Sequence, residues 1–356
     1  ETILEVPDLW IRDHHVQTKT EWTFENLNRA GAEEMLRESG LTEELIDLSN
    51  AADLWSETPL GVKLTPPDAL IIGMTPKMRA ALYQQLLNKP EGQLLDRTYG
   101  IDGGDFGAIA KDIPPEIVEL VQKLSYKMSD LMEISDTPYL MSQIEDPIMR
   151  RRVIRALART RSIVPRLRVD SSADIDALSA YWSGPRPLTS IHSLLASVRD
   201  SQQTDHIDLM YLLPPFPRKY LGTYTNFQDL LYTEQPDCFW TARNFFESEP
   251  IQRIHDNLPE EYYLEPEKFT KVANKAPFHF GDLFVVRDPR RDAFVHAYVH
   301  IADDLVFTKN GTSTLTPWII MRRDDMLERY SHFKPFEVHV YRWNRPKTPG
   351  DGFLGS

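Results

Sequence analysis

The chain has 356 residues, enough for about two domains of ordinary size and for a sizeable buried core. Forty basic against 53 acidic side chains leave a formal charge of −13, and 41% hydrophobic with 26% charged residues is the composition of a folded chain, not of a disordered one. Such an acidic balance repels phosphate backbones, so nucleic acid is not an expected partner, and no run approaches the about 18 apolar residues of a spanning helix, so no integral membrane segment is expected.

The first residue is Glu1, not Met, which implies that an upstream segment has been removed, by a signal peptidase or in preparation. Helical periodicity dominates the first half of the chain. Thr23–Ser39 and Leu41–Leu54 carry apolar stripes, and Thr75-Pro76, Pro114-Pro115, Thr137-Pro138 and Asp146-Pro147 each supply a start signal, opening Pro76–Asn88, Glu116–Met132, a short helix and Pro147–Thr160. Gly100-Ile-Asp-Gly-Gly-Asp-Phe-Gly107 lacks the spacing of a phosphate-binding loop and reads as a turn-rich connection. Arg150, Arg151, Arg152, Arg155, Arg159 and Arg161 fall all round their helix and read as a solvated, salt-bridged surface. Residues 1–163 are therefore expected to form a helical domain.

From Val164 the texture changes. A strand at Pro165–Val169, helices at Ala173–Trp182 and Thr189–Arg199 and a strand at Ile207–Leu213 predict an α/β connector over residues 164–213. Beyond Pro214 come a helix around Cys238 and then runs rich in Val, Ile, Phe and Tyr: Asp282–Arg287, Ala293–Ala302, Leu305–Thr308, Trp318–Met321 and Glu337–Trp343. One helix followed by an antiparallel sheet predicts an α+β domain over 214–345, and 346–356 reads as an extended tail.

Cys238 is the only cysteine, which excludes an intramolecular disulfide framework and a multi-cysteine metal site. In Pro236-Asp-Cys-Phe-Trp240 it stands at a helix start, where partial positive charge from unpaired N–H groups favours a thiolate. Downstream, the period of two along Ala293–Ala302 puts His296, Tyr298 and His300 on one face of a strand. His14-His15 reads as surface. Asp303-Asp304 falls where a hairpin turn is expected, so no metal site is expected from these acids and the strand histidines.

Three segments in order, Asp237-Cys238 with Phe245 and Phe246, Gly281-Asp282-Leu283-Phe284-Val285-Val286, and His296-Ala297-Tyr298-Val299-His300-Ile301-Ala302, resemble the NlpC-type cell-wall peptidases of the papain-like cysteine hydrolases, a superfamily that also includes the CHAP amidases. The resemblance covers residues 214–345 only. It implies a papain-like domain in which Cys238 is the nucleophile and His296 its base, with no cofactor. The family's orienting position falls on Thr308, where a His, Asn or Gln is usual; Asn310, two residues on along the strand, is the preferred orienter and Thr308 the second choice. Tyr224 is the nearest counterpart of an upstream family tyrosine, and Asp237, Trp240 and His300 complete the residues expected to line the substrate cleft, with His300 either a second titrating group or a wall.

The implied reaction is hydrolysis of an amide bond in a peptide or in peptidoglycan, with a periplasmic or extracellular address and with the helical half as a protein- or wall-binding part. An acyltransferase or protein-directed peptidase of the same superfamily, and a catalytically silent papain-like module, are the alternatives.

Overall fold

The computed structural model describes residues 1–87, 98–101, 104–129, 131–184, 189–201, 203–225, 236–250, 264 and 266–344. The expected tail, 346–356, lies outside them. The chain divides into two compact units: Glu5–Thr160, and Glu1–Leu4 with Arg161–Ser356. The fold is mixed α and β with antiparallel sheets, and no helix among the described residues is long and apolar enough to cross a membrane.

Glu5–Thr160 departs from the helical domain expected for residues 1–163, because two three-stranded antiparallel sheets stand among its helices. One sheet pairs Trp22–Glu25 with Gly61–Leu64, which in turn pairs with Trp55–Thr58; the other joins Tyr99–Ile101, Leu131–Ile134 and Tyr126–Met128. The expected helix Thr23–Ser39 is thus a strand followed by a helix, Arg29–Glu38, which starts where the Asn28 side chain accepts the Gly31 N–H. Helix Pro115–Leu124 likewise stops short of Met132. Short strands of three or four residues carry too little alternation to stand out against neighbouring helical stripes. The arginine-rich helix, Pro147–Leu157, meets acids: Arg155 bonds to Asp8, and Arg159, just beyond it, pairs with Glu5 and Asp112.

In the second unit, in chain order, are β1 (Arg166–Arg168), α1 (Ile175–Ser183), α2 (Thr189–Arg199), β2 (His206–Asp208), α3 (Pro215–Tyr220), α4 (Cys238–Arg243), β3 (Phe269–Val272), β4 (Leu283–Asp288), β5 (Ala293–Ala302), β6 (Leu305–Lys309), β7 (Trp318–Arg322), α5 (Arg323–Arg329) and β8 (Glu337–Trp343). Strands β3-β8-β4-β5-β6-β7 form one six-stranded sheet, each neighbouring pair antiparallel.

Its two faces bury different cores. Val285, Ala297, Val299, Phe307 and Ile320 join Trp240, Ala242 and Phe245 around α4, while Phe284, Val286, Tyr298, Val306 and Met321 face Met326 of α5. Residues 164–213 do not form a connector standing apart: Val169, Ile175, Trp182, Leu195 and Leu209 lie in the same apolar core as α4. Patterning located the helices and β1, but the strand expected over Ile207–Leu213 is only His206–Asp208, followed by a 3-10 turn at Leu209–Tyr211, and whether the apolar faces met each other or the later sheet was a matter of tertiary contact.

Candidate catalytic site

Helix α4 is built from its first residues. Asp237 caps it, Oδ1 accepting the Trp240 N–H at 2.7 Å, so Cys238 becomes the first helical residue. Thr241 ties the helix to the sheet: its hydroxyl donates to the Asp237 carbonyl and accepts the Trp318 indole N–H at 2.8 Å. Trp240 is 8% exposed and packs against Phe216 and Tyr220 with ring centres 5.1 and 5.8 Å away. The expectation that Trp240 and Asp237 line a substrate cleft is corrected accordingly. The indole is an anchor of the core, and the carboxylate holds the helix start.

The register of β5 explains where the sulfur sits. His300 donates its N–H to Asp282 at the β4 edge, so alternation points the N–H of Ala297 to the opposite, β6 edge. Pairing between β5 and β6 includes Val299 with Phe307 but does not extend back to Ala297. Cys238 lies at that opening, near enough to the Ala297 N–H for it, together with the N–H groups of Phe239 and Cys238, to favour the thiolate form. The thiol therefore lies against the peptide group that joins Ala297 to His296.

His296 is fully buried on the β5 face shared with Tyr298, and it divides its ring nitrogens unequally. Nε2 lies 3.0 Å from the hydroxyl of Thr308, while Nδ1 is buried with no hydrogen-bond partner. Thr308, itself fully buried, is therefore the residue that meets the imidazole, where Asn310 is the preferred choice from the sequence. Strand β6 ends at Lys309, so the alternation that would carry Asn310 onto the same face stops first; its Nδ2 contacts the Met321 sulfur at 3.6 Å instead. Tyr330, which comes directly after α5, stacks on the imidazole with ring centres 4.2 Å apart and planes 21° apart.

Burial dominates the electrostatics. It pushes His296 down to about 3. It pushes the Cys238 thiol up, and the adjoining Asp237 carboxylate adds to the rise, against the opposing pull of the three N–H groups. A lowered thiol pKa was expected from the helix start; the correction is that desolvation of a thiolate outweighs a six-residue helix end. Burial thus favours a neutral thiol at Cys238 and a neutral imidazole at His296.

The remaining expected residues lie elsewhere. His300 is 5% exposed, held between Phe278 and Phe284 with Nε2 3.4 Å from the Tyr181 hydroxyl, and burial pushes it down to about 4. It is packed in the interior two pleats along β5 from His296. Tyr224 comes after Thr223, whose carbonyl accepts the Trp318 N–H, so the backbone there is tied to β7. Within the Gly281-Asp282 segment, Gly281 has φ +86° and an added Cβ would stand 2.2 Å from the Phe246 ring, while the buried Asp282 carboxylate takes two bonds of 2.7 Å from Arg342. That segment is structural. Tyr330 was missed by sequence reasoning, since an aromatic residue at the end of an amphipathic helix carries no signal that separates a ring on the core from a ring on a histidine.

No family model, curated protein or solved structure matches the chain.

Proposed function

We propose that this unit carries a cysteine hydrolase site of papain-like type, cleaving amide or peptide bonds through a thioester on Cys238. One observation carries the reading: the thiol lies against the Ala297 N–H while the neighbouring His296 keeps one ring nitrogen on Thr308 and the other without a partner. With the ring proton on Nε2, donated to Thr308, Nδ1 presents a lone pair and can take the thiol proton. Sulfur then attacks the carbonyl carbon, and the resulting oxyanion is met by backbone N–H groups at the helix start. The C–N bond breaks as the imidazolium returns its proton to the leaving nitrogen, and water, deprotonated by His296, releases the acid and restores the thiol.

A neutral resting pair suits this sequence. Proton transfer accompanies attack, so no isolated charge has to stand in a low-dielectric interior beforehand. The resemblance to NlpC peptidases adds peptidoglycan as the substrate class, and with it an extracytoplasmic address. Digestion of purified peptidoglycan with the wild-type chain and with Cys238→Ser, followed by mass analysis of the fragments, tests both; new fragments from the wild type alone support the proposal, and identical profiles end the peptidoglycan reading.

One observation favours a catalytically silent module of the same architecture: Cys238 is only 6% exposed and its thiol is held protonated. Alkylation by iodoacetamide separates the two. An active site labels Cys238 in the native protein near neutral pH and loses that labelling in His296→Ala, whereas a silent module labels only after unfolding.

A further inference from the structure

Tyr330 has a place in this arrangement that no residue pattern announces. Its ring lies on the imidazole of His296 at 4.2 Å between centres, closer than the 6.2 Å of Tyr298 on the same strand face. Its own position is fixed by the end of α5, where its N–H bonds to the Leu327 carbonyl at 3.1 Å. Burial pushes the Tyr330 phenol up, and its hydroxyl lies near enough to Cys238 and Asp237 for a thiolate or the carboxylate there to push it further in the same direction. A phenol so placed stays protonated and neutral. Among the described residues the imidazole has one hydrogen-bonded atom, Nε2 at Thr308, and one bond at the ring edge does not by itself define the plane of the ring.

We infer that Tyr330 is a positioning residue for the proposed reaction, its ring holding the plane of the His296 imidazole about the Thr308 bond at Nε2, so that Nδ1 stays free to serve as the base. This rests on the cysteine hydrolase reading and adds to it a restraint carried by an aromatic face in place of a second polar partner. The contribution of the ring is separable from that of the hydroxyl: Tyr330→Phe keeps the stacked face, and Tyr330→Leu removes it.

The test is a double-mutant cycle on the rate at which iodoacetamide labels Cys238 in the full chain. Rates are measured at pH 7.5 for the wild type, Tyr330→Phe and Tyr330→Leu, each with and without His296→Ala. Removing the ring also opens access to the thiol, so raw rates mislead; the factor by which His296→Ala slows labelling within each background does not. That factor is expected to be about a hundredfold in the wild type and in Tyr330→Phe, as for a working general base, and to collapse to about threefold or less in Tyr330→Leu. Near-UV circular dichroism monitors folding, and Tyr330→Met takes the place of Tyr330→Leu if the latter does not fold. An undiminished histidine factor after loss of the ring overturns the positioning role and leaves the hydrolase reading standing. Absence of any histidine dependence in the wild type overturns the hydrolase reading, and the role of Tyr330 with it.

Discussion

Two histidines buried in the neutral form should make the second unit acid-sensitive from about pH 6.5 downward, starting above the ordinary carboxylate range. Burial holds His296 at about 3 and His300 at about 4, against an ordinary value of 6.5 in the unfolded chain. For His300 the desolvation is partly offset by the attraction of Asp282. Because both folded values lie below the unfolded one, the unfolded chain binds protons first as the pH falls. Stability is fully present above about pH 6.5 and drains away toward pH 4 and below. At pH 5 the unfolded imidazoles are almost wholly protonated and the folded ones almost wholly neutral, which costs about 2 kcal/mol for each residue and about 4 kcal/mol for the two as an upper figure. Urea unfolding followed by tryptophan fluorescence at pH 7.5 and pH 5.0 reads this directly, since Trp182, Trp240, Trp318 and Trp343 all lie buried in this unit. The midpoint should fall by roughly 1–2 M at an ordinary urea slope, and His296→Gln with His300→Gln should remove most of the fall. A double variant that loses as much stability between the two pH values as the wild type would refute the assignment of these rings as buried neutral bases.

Thr308→Val keeps the shape of the side chain but strips the fully buried His296 of its partner at Nε2, and should destabilise by about 1–3 kcal/mol, whereas Thr308→Ser keeps the bond; equal melting of the two variants would show that the hydroxyl is not bonded there. Asp237→Ala removes the cap of α4 and should cost about 1 kcal/mol, while Asp237→Asn caps nearly as well and, by deleting a charge beside the thiol, should lower the pH at which Cys238 alkylation reaches half its maximal rate. A thiol titration unmoved in Asp237→Asn would mean that burial alone sets it. Gly281→Ala puts a methyl group 2.2 Å from Phe246 at a φ of +86°, and overpacking together with backbone strain should cost roughly 2–4 kcal/mol in chemical denaturation; a neutral outcome would require that the Phe246 ring moves freely.

The parts of the molecule that depend on local chemistry were legible in the order of residues. The period of two along Ala293–Ala302 specified β5 end to end, and Asp237 before Cys238 specified both the cap and the place of the sulfur at the first turn of α4. Thr189–Arg199 and Glu337–Trp343 were equally plain, because their apolar stripes are long enough to show one period only. What depended on distant segments was decided in three dimensions. Strands of three or four residues in Glu5–Thr160 became strands because a neighbouring segment accepted their hydrogen bonds. Thr308 took the place given to Asn310 because β6 ends one residue too soon, and Tyr330 reached His296 from a helix after the last β6–β7 pairing. The charge states of Cys238 and His296 were set the same way: a helix start is a local property, but the removal of water that overrides it is the work of every segment packed around the pair.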